Sequence, residues 1–228
     1  MIEKIELYQR LLLNNITSSY DLLIFLKEKN LLQNSSSHWW EGYGTFEVLI
    51  TAILTQNTKW QNVEKSIENI KKYDLLNMKK LSNIDLSILS ELISSSGFKN
   101  QKSKRIKNIC QNIIKDFENF TLNVSRSWLL NQKGIGNETC DSILCYACKK
   151  DHFVIDTYTN RLLKKISFEF DNYDDIKEWF EYGINENFSK IEKSYGFDIT
   201  INQIYCRFHG KIIEFMKNSK NIEFMELK

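Results

Sequence analysis

Not one of the 228 residues is proline. A chain without proline lacks the residue that most sharply ends or kinks a helix, so its helices stop at glycine, at polar caps or where charge gathers. The eight glycines, Gly42, Gly44, Gly97, Gly134, Gly136, Gly183, Gly196 and Gly210, become the punctuation. Between them the apolar pattern is helical almost throughout. Phe46, Leu49, Ile50, Ile53 and Leu54 follow an i, i+3, i+4, i+7, i+8 spacing, with Thr45 placed as a cap. Cys140, Ile143, Leu144, Ala147 and Cys148 repeat it on a helix that should end at Lys149–Lys150, where two cations suit the negative end of the dipole. Tyr158, Leu162 and Ile166 mark another helix, and Ile201, Ile204, Tyr205, Phe208, Ile212 and Phe215 mark a long C-terminal one. The run Phe153–Ile155 is the one plausible extended piece. The expectation is an all-α fold with no repeat, low-complexity tract or flexible linker, so any lobes are packed together rather than tethered.

The bulk numbers fit a soluble globular enzyme: 42% hydrophobic and 26% charged residues. Five cysteines, an odd count with no signal peptide ahead of them, point to a reducing cytoplasm. The opening MIEKIELYQRLLL carries charge within its apolar pattern and has no small-residue cleavage site. No apolar run approaches membrane-spanning length, so no membrane role is expected. The net charge of +2 does not announce a polyanionic partner. The distribution says more. Lys99, Lys102, Lys104, Arg105 and Lys107 lie in a stretch without an acid, the tail from Arg207 to Lys220 is basic apart from Glu214, and residues 169–192 are strongly acidic. One basic face and an acidic back would follow, or else ordinary solvated helix surfaces.

Residues 128–147, WLLNQKGIGNETCDSILCYA, read as helix, tight turn, helix. Gly134 and Gly136 permit the reversal and leave the backbone open to a phosphate, whose oxygens the N–H groups of the turn could meet. Ile135 would point inward and lock the two helices, and Lys133 is placed for a phosphate. On the G-x-G pattern alone, a plain glycine turn between packed helices is the favoured reading. Downstream, VIDTYTNRLLKKI (154–166) carries Asp156 at a helix start, either as an N-cap or as a functional carboxylate.

Four blocks in order change that balance: FEVLITAILTQNTKWQNVEKSIENI (46–70), GFKNQKSKRI (97–106), the glycine hairpin, and Asp156 in its VIDT setting. Together they resemble the endonuclease III-like helix-hairpin-helix DNA glycosylases. The resemblance implies a two-lobed all-α fold with the active site in the cleft between lobes. Lobe A would comprise 1–45 plus 155–228, and lobe B 46–154, with the hairpin at about 126–149. It also implies that Asp156 is the catalytic carboxylate and that Gln56 fills the gap left by a flipped nucleotide; Gln56 reads equally as a helix-surface glutamine.

Two departures narrow the activity. Bifunctional relatives carry a lysine in a G-x-G-x-K pattern that attacks the sugar; here that position is Glu138, and a carboxylate cannot form an imine. Many relatives hold a [4Fe–4S] cluster on four cysteines, but beyond Asp156 this chain has only Cys206, so no cofactor and no cluster are expected. The C-x-x-C at 145–148 reads as buried core thiols rather than a zinc site, because no second ligand pair accompanies it.

A narrower likeness spans nearly the whole chain. The His38–Trp39–Trp40 segment, the TQNTK signature, WLLNQKGIG and the closing RFHGKIIEF are similar to the compact 3-methyladenine DNA glycosylases. This implies a base pocket walled by Trp39, Trp40 and Trp60, which suits a cationic alkylated purine through cation–π attraction. The family has a proline after the tryptophan pair where this chain has Glu41, and its third aromatic can be phenylalanine where this chain has Trp60. The implied partner is double-stranded DNA with alkylated bases, bound by a monomer, with Lys211 and Lys217 either reaching the DNA or solvated. His38, His152 and His209 form no visible constellation. Two other readings stand beside this one: a bifunctional endonuclease III-like lyase on oxidised pyrimidines, and a non-catalytic hairpin module.

Overall fold

The computed structural model describes residues 15–225, with side chains to residue 218. The N-terminal run 1–14, on which the leader reading rests, and the Lys220 side chain of the basic tail lie outside the described residues. The described helices are α1 (Ser19–Lys27), α2 (Phe46–Leu54), α3 (Trp60–Lys72), α4 (Met78–Asn83), α5 (Leu86–Leu92), α6 (Lys99–Asp116), α7 (Phe120–Asn123), α8 (Arg126–Leu130), α9 (Asn137–Ser142), α10 (Thr157–Lys165), α11 (Tyr173–Glu186), α12 (Phe188–Tyr195) and α13 (Ile201–Met225). The described residues contain no strand, so the fold is all-α. No described helix is long and apolar enough to cross a membrane.

The chain forms two compact units, one of residues 1–39 with 151–228 and the other of residues 40–150. In the second unit α2 is the centre. Val48 through Leu54 are buried on every side, and α3, α6 and the end of the hairpin pack around it. Thr45 precedes α2 but does not cap it; its hydroxyl donates to the Gly42 carbonyl at 2.6 Å, because the glycine-rich approach turns tightly there. Lys102 of α6 is buried, and its ammonium donates to the carbonyls of Leu54 (2.8 Å) and Ser96 (2.6 Å) and to the Thr58 hydroxyl (2.7 Å). It thereby closes the C-terminal end of α2 and fixes the adjoining loop. Desolvation, with Arg105 nearby, pulls this lysine down to about 8.

The helix expected to run evenly from Cys140 to Lys149 does not. After α9 it widens into a π turn over Ile143–Ala147, where the Cys148 amide reaches back to the Ile143 carbonyl at 3.0 Å. The extra residue in the turn shifts the phase of the residues beyond it, a change that a 3.6-residue spacing cannot anticipate.

In the first unit α10 packs on α13, and α1 packs on α11 and α13. The core is aromatic: Phe153 stacks on Phe180 at 4.2 Å and meets Tyr205 and Phe208 edge-on. The Phe153–Ile155 piece is buried and belongs to neither a helix nor a strand. Its amides are satisfied instead by side chains of α11: Phe153 N–H donates to Glu181 Oε1 (2.8 Å) and Ile155 N–H to the Tyr173 hydroxyl (3.3 Å). This buried strap ends at Asp156.

Candidate active site

Asp156 is the N-cap of α10. Its Oδ1 accepts from the Thr159 amide at 2.7 Å and from the Thr159 hydroxyl at 2.9 Å. An ordinary cap faces water, but this one is buried, only 8% exposed. Its Oδ2 lies 3.7 Å from Nε2 of His209, itself 3% exposed, on α13. Burial acts to raise the carboxyl, but His209 and the Thr159 donors together outweigh it and hold Asp156 below the usual carboxylate range. The group is thus an anion in a low-dielectric setting with one oxygen doubly engaged and the other turned to an imidazole.

Trp39 completes this cluster. It adopts a left-handed backbone (φ 66°) and sets its indole edge-to-face on the His209 ring, centroids 5.4 Å apart. The next residue on α13 is Gly210, where a Cβ would stand 2.5 Å from Trp39 Cγ. Glycine is required here for the close approach of the indole to the helix backbone. Lys211 comes next and is buried; desolvation, aided by Arg207 and Lys27 and opposed by Glu214, holds its ammonium below the ordinary lysine value. Lys217 is exposed, with its ammonium 5.8 Å from the Tyr158 ring centre.

In the other unit, α8, the glycine turn and α9 form the hairpin. Gly134 takes φ 85°, and a Cβ there would stand 2.1 Å from Nε of Arg105. Gly136 caps α9 in extended backbone. Ile135 is buried, while Lys133, Gly134, Gly136 and Glu138 are exposed. Arg126 clamps the two helices through the buried Asp141, with Nε to Oδ1 at 3.0 Å and Nη2 to Oδ2 at 3.3 Å. Gln56 is tied to this hairpin. Its amide donates to the Gly134 carbonyl and the Thr139 hydroxyl, both at 2.9 Å, and its own carbonyl accepts from Arg105 at 2.5 Å. Inserting Gln56 into a duplex requires breaking these three bonds.

Trp40 is buried in this same unit. Its indole N–H donates to the Thr51 hydroxyl at 3.2 Å, and its ring packs against Tyr146 (4.9 Å) and Trp60 (5.8 Å). Trp60 in turn donates to Glu64 at 2.9 Å. The adjacent tryptophans therefore serve different neighbourhoods: Trp39 goes with His209 and Trp40 with Trp60. Tyr146, fully buried on the π turn, is an aromatic partner that helical spacing does not single out. His209, Gly210 and Arg105 also escape a reading of the sequence. The one signal for His209 was its place four residues after the core Tyr205, inside RFHGK. All five cysteines are buried, and burial pushes the thiols of Cys110 and Cys148 up to about 12, which leaves them protonated and poor metal ligands. Among the described residues no three His, Cys, Asp or Glu side chains are grouped to hold a metal.

Residues 50–185 match the family described as HhH-GPD superfamily base excision DNA repair protein. The crystal structure of the Helicobacter pylori 3-methyladenine DNA glycosylase MagIII bound to 1,N6-ethenoadenine superposes with a TM-score of 0.85 and 45% identity, covering 89% of this chain and 98% of that one. The "Putative DNA repair glycosylase MJ1434" of Methanocaldococcus jannaschii is 38% identical over 191 residues, 79% of this chain and 80% of its own length. A trapped endonuclease III–DNA covalent intermediate shares the fold at a TM-score of 0.61 and 18% identity, over 88% of this chain and 86% of that one.

Proposed function

For this chain, which belongs to the HhH-GPD superfamily of base excision DNA repair proteins and is a DNA glycosylase, we propose a monofunctional activity on alkylated, cationic purines, chiefly 3-methyladenine, in double-stranded DNA. The observation that carries this reading is the state of Asp156: buried, held below the usual carboxylate range, and facing the His209 imidazole on which Trp39 packs. An N3-alkyl adenine carries positive charge, so its N-glycosidic bond breaks with the electron pair returning to the base, which leaves neutral. The sugar becomes oxocarbenium-like, and the Asp156 carboxylate stabilises that charge. Water then forms the new bond to C1′, and its proton passes to the carboxylate and on to solvent. Trp39, Trp40 and Trp60 supply indole faces, each able to hold a cationic base by about 0.5–2 kcal/mol. The exposed Lys133–Gly136 turn takes a DNA phosphate without reading sequence. Lys211 and Lys217 add cationic charge on α13. The protein acts as a monomer and without a cofactor.

Glu138 favours this reading over an endonuclease III-like lyase, because a carboxylate at the position of the lyase lysine offers no amine to the sugar. The experiment is to incubate methylated duplex DNA with the protein and identify the free bases by chromatography. Release of 3-methyladenine is expected. Release of oxidised pyrimidines alone, or of no base, would overturn the proposal.

A further inference from the structure

We propose that His209 is the positioning residue of Asp156, fixing the oxygen that the Thr159 cap leaves open and tying it to the Trp39 wall of the base pocket. This rests on the reading of Asp156 as the catalytic carboxylate. Thr159 holds Oδ1 with two donors but leaves the rotation of the carboxylate plane to whatever meets Oδ2. The group that meets it is the His209 imidazole at 3.7 Å, delivered by a different helix, α13. The imidazole is itself immobilised. It is 3% exposed, and the Trp39 indole lies edge-to-face on it at 5.4 Å. Trp39 can stand there only because Gly210 offers no Cβ. The ring is thus held by the pocket wall on one side and turned to the carboxylate on another. A shift of the indole is passed to the catalytic oxygen through one rigid ring. The His209 imidazole and the neutral Thr159 donors of α10 both lower the carboxyl against the cost of burial. The same imidazole that orients Oδ2 therefore also favours its ionised form against the cost of burial.

The test uses the full chain with His209→Gln, which keeps a polar side chain of similar reach without the imidazole ring, and His209→Ala, which keeps neither. Each variant is first compared with wild type by circular dichroism and thermal melting. Base release from dimethyl sulfate-treated duplex DNA is then followed at single turnover across pH, alongside DNA affinity. Asp156→Asn is the control. His209→Ala should slow release by roughly 10–100-fold with affinity within about threefold of wild type, and the acid limb of the pH–rate profile should move to higher pH. His209→Gln should recover part of the rate but keep the shifted limb. If folded His209→Gln and His209→Ala both match wild type in rate and acid limb, or lose only affinity or only thermal stability, His209 does not position the carboxylate. Should Asp156→Asn itself turn over normally, it is the reading of Asp156 that fails, whatever His209 does.

Discussion

The hairpin and the carboxylate site solve opposite problems. The hairpin presents backbone: Lys133, Gly134 and Gly136 are exposed, and the buried parts, Ile135 and the Arg126–Asp141 clamp, serve to hold the turn's shape. The Asp156 site presents a side chain and buries it, along with the imidazole and the glycine beside it. A turn that grips any phosphate needs access and a fixed main chain, and charge there is screened by water and salt. A carboxylate that stabilises a transient cation needs the reverse, a dry setting where its field is not screened. Under the proposed function, binding by the hairpin and chemistry at Asp156 are separable, and substitutions should split them.

The largest split comes from Asp156→Asn. Asparagine caps a helix as well as aspartate does, so α10 should keep its start while the charge is lost. Excision should fall by roughly 10²–10⁴-fold with DNA affinity nearly unchanged, as read by single-turnover release beside a binding titration. Gly134→Ala should do the opposite. It forces a side chain onto φ 85° and against Arg105 at 2.1 Å, so binding weakens and unfolding becomes easier by on the order of 1–3 kcal/mol. A fluorescence anisotropy titration and a denaturant melt check both. Gly210→Ala sits on the carboxylate side; by displacing Trp39 it should raise KM for alkylated DNA several-fold, on the order of 1 kcal/mol, while duplex binding holds. The smallest effect is Lys133→Ala, which should lower the slope of log affinity against log salt by about 0.9 and leave the excision step alone.

Acidity draws a similar contrast between two of the buried charges, Asp156 and Lys102. Asp156 has a lowered folded value, so its contribution to stability is present above the unfolded carboxyl value and is lost as pH falls through the folded one. Lys102 has a lowered value of about 8, so the unfolded chain binds the extra proton above that pH. Its effect is therefore a gain in stability as pH rises from about 8 toward the ordinary lysine value. Melting curves across that range should show the gain in wild type and lose it in Lys102→Met.

The same contrast explains why some features were legible in the sequence and others were not. The hairpin is local: its glycines, its inward Ile135 and its flanking helices lie within some twenty consecutive residues, and residue type alone marks the turn. The all-α class was legible for a similar reason, since helical spacing is written along the chain. The carboxylate site is assembled from Trp39, Asp156 and His209, which share no segment, so His209 looked like an isolated histidine. The π turn hid Tyr146 because it breaks the period by which a helix is read. Gln56 stood out as a residue type, but its three bonds to Gly134, Thr139 and Arg105 depend on packing across elements.

In the proposed mechanism Asp156 works with water and no amine. Borohydride added while the protein acts on methylated duplex DNA, with both the covalent adduct and strand integrity measured, separates water from an amine as the nucleophile. With water as the nucleophile, free base should accumulate, abasic strands should remain uncut, and no protein–DNA adduct should form. A borohydride-trapped adduct accompanied by strand scission would contradict this mechanism.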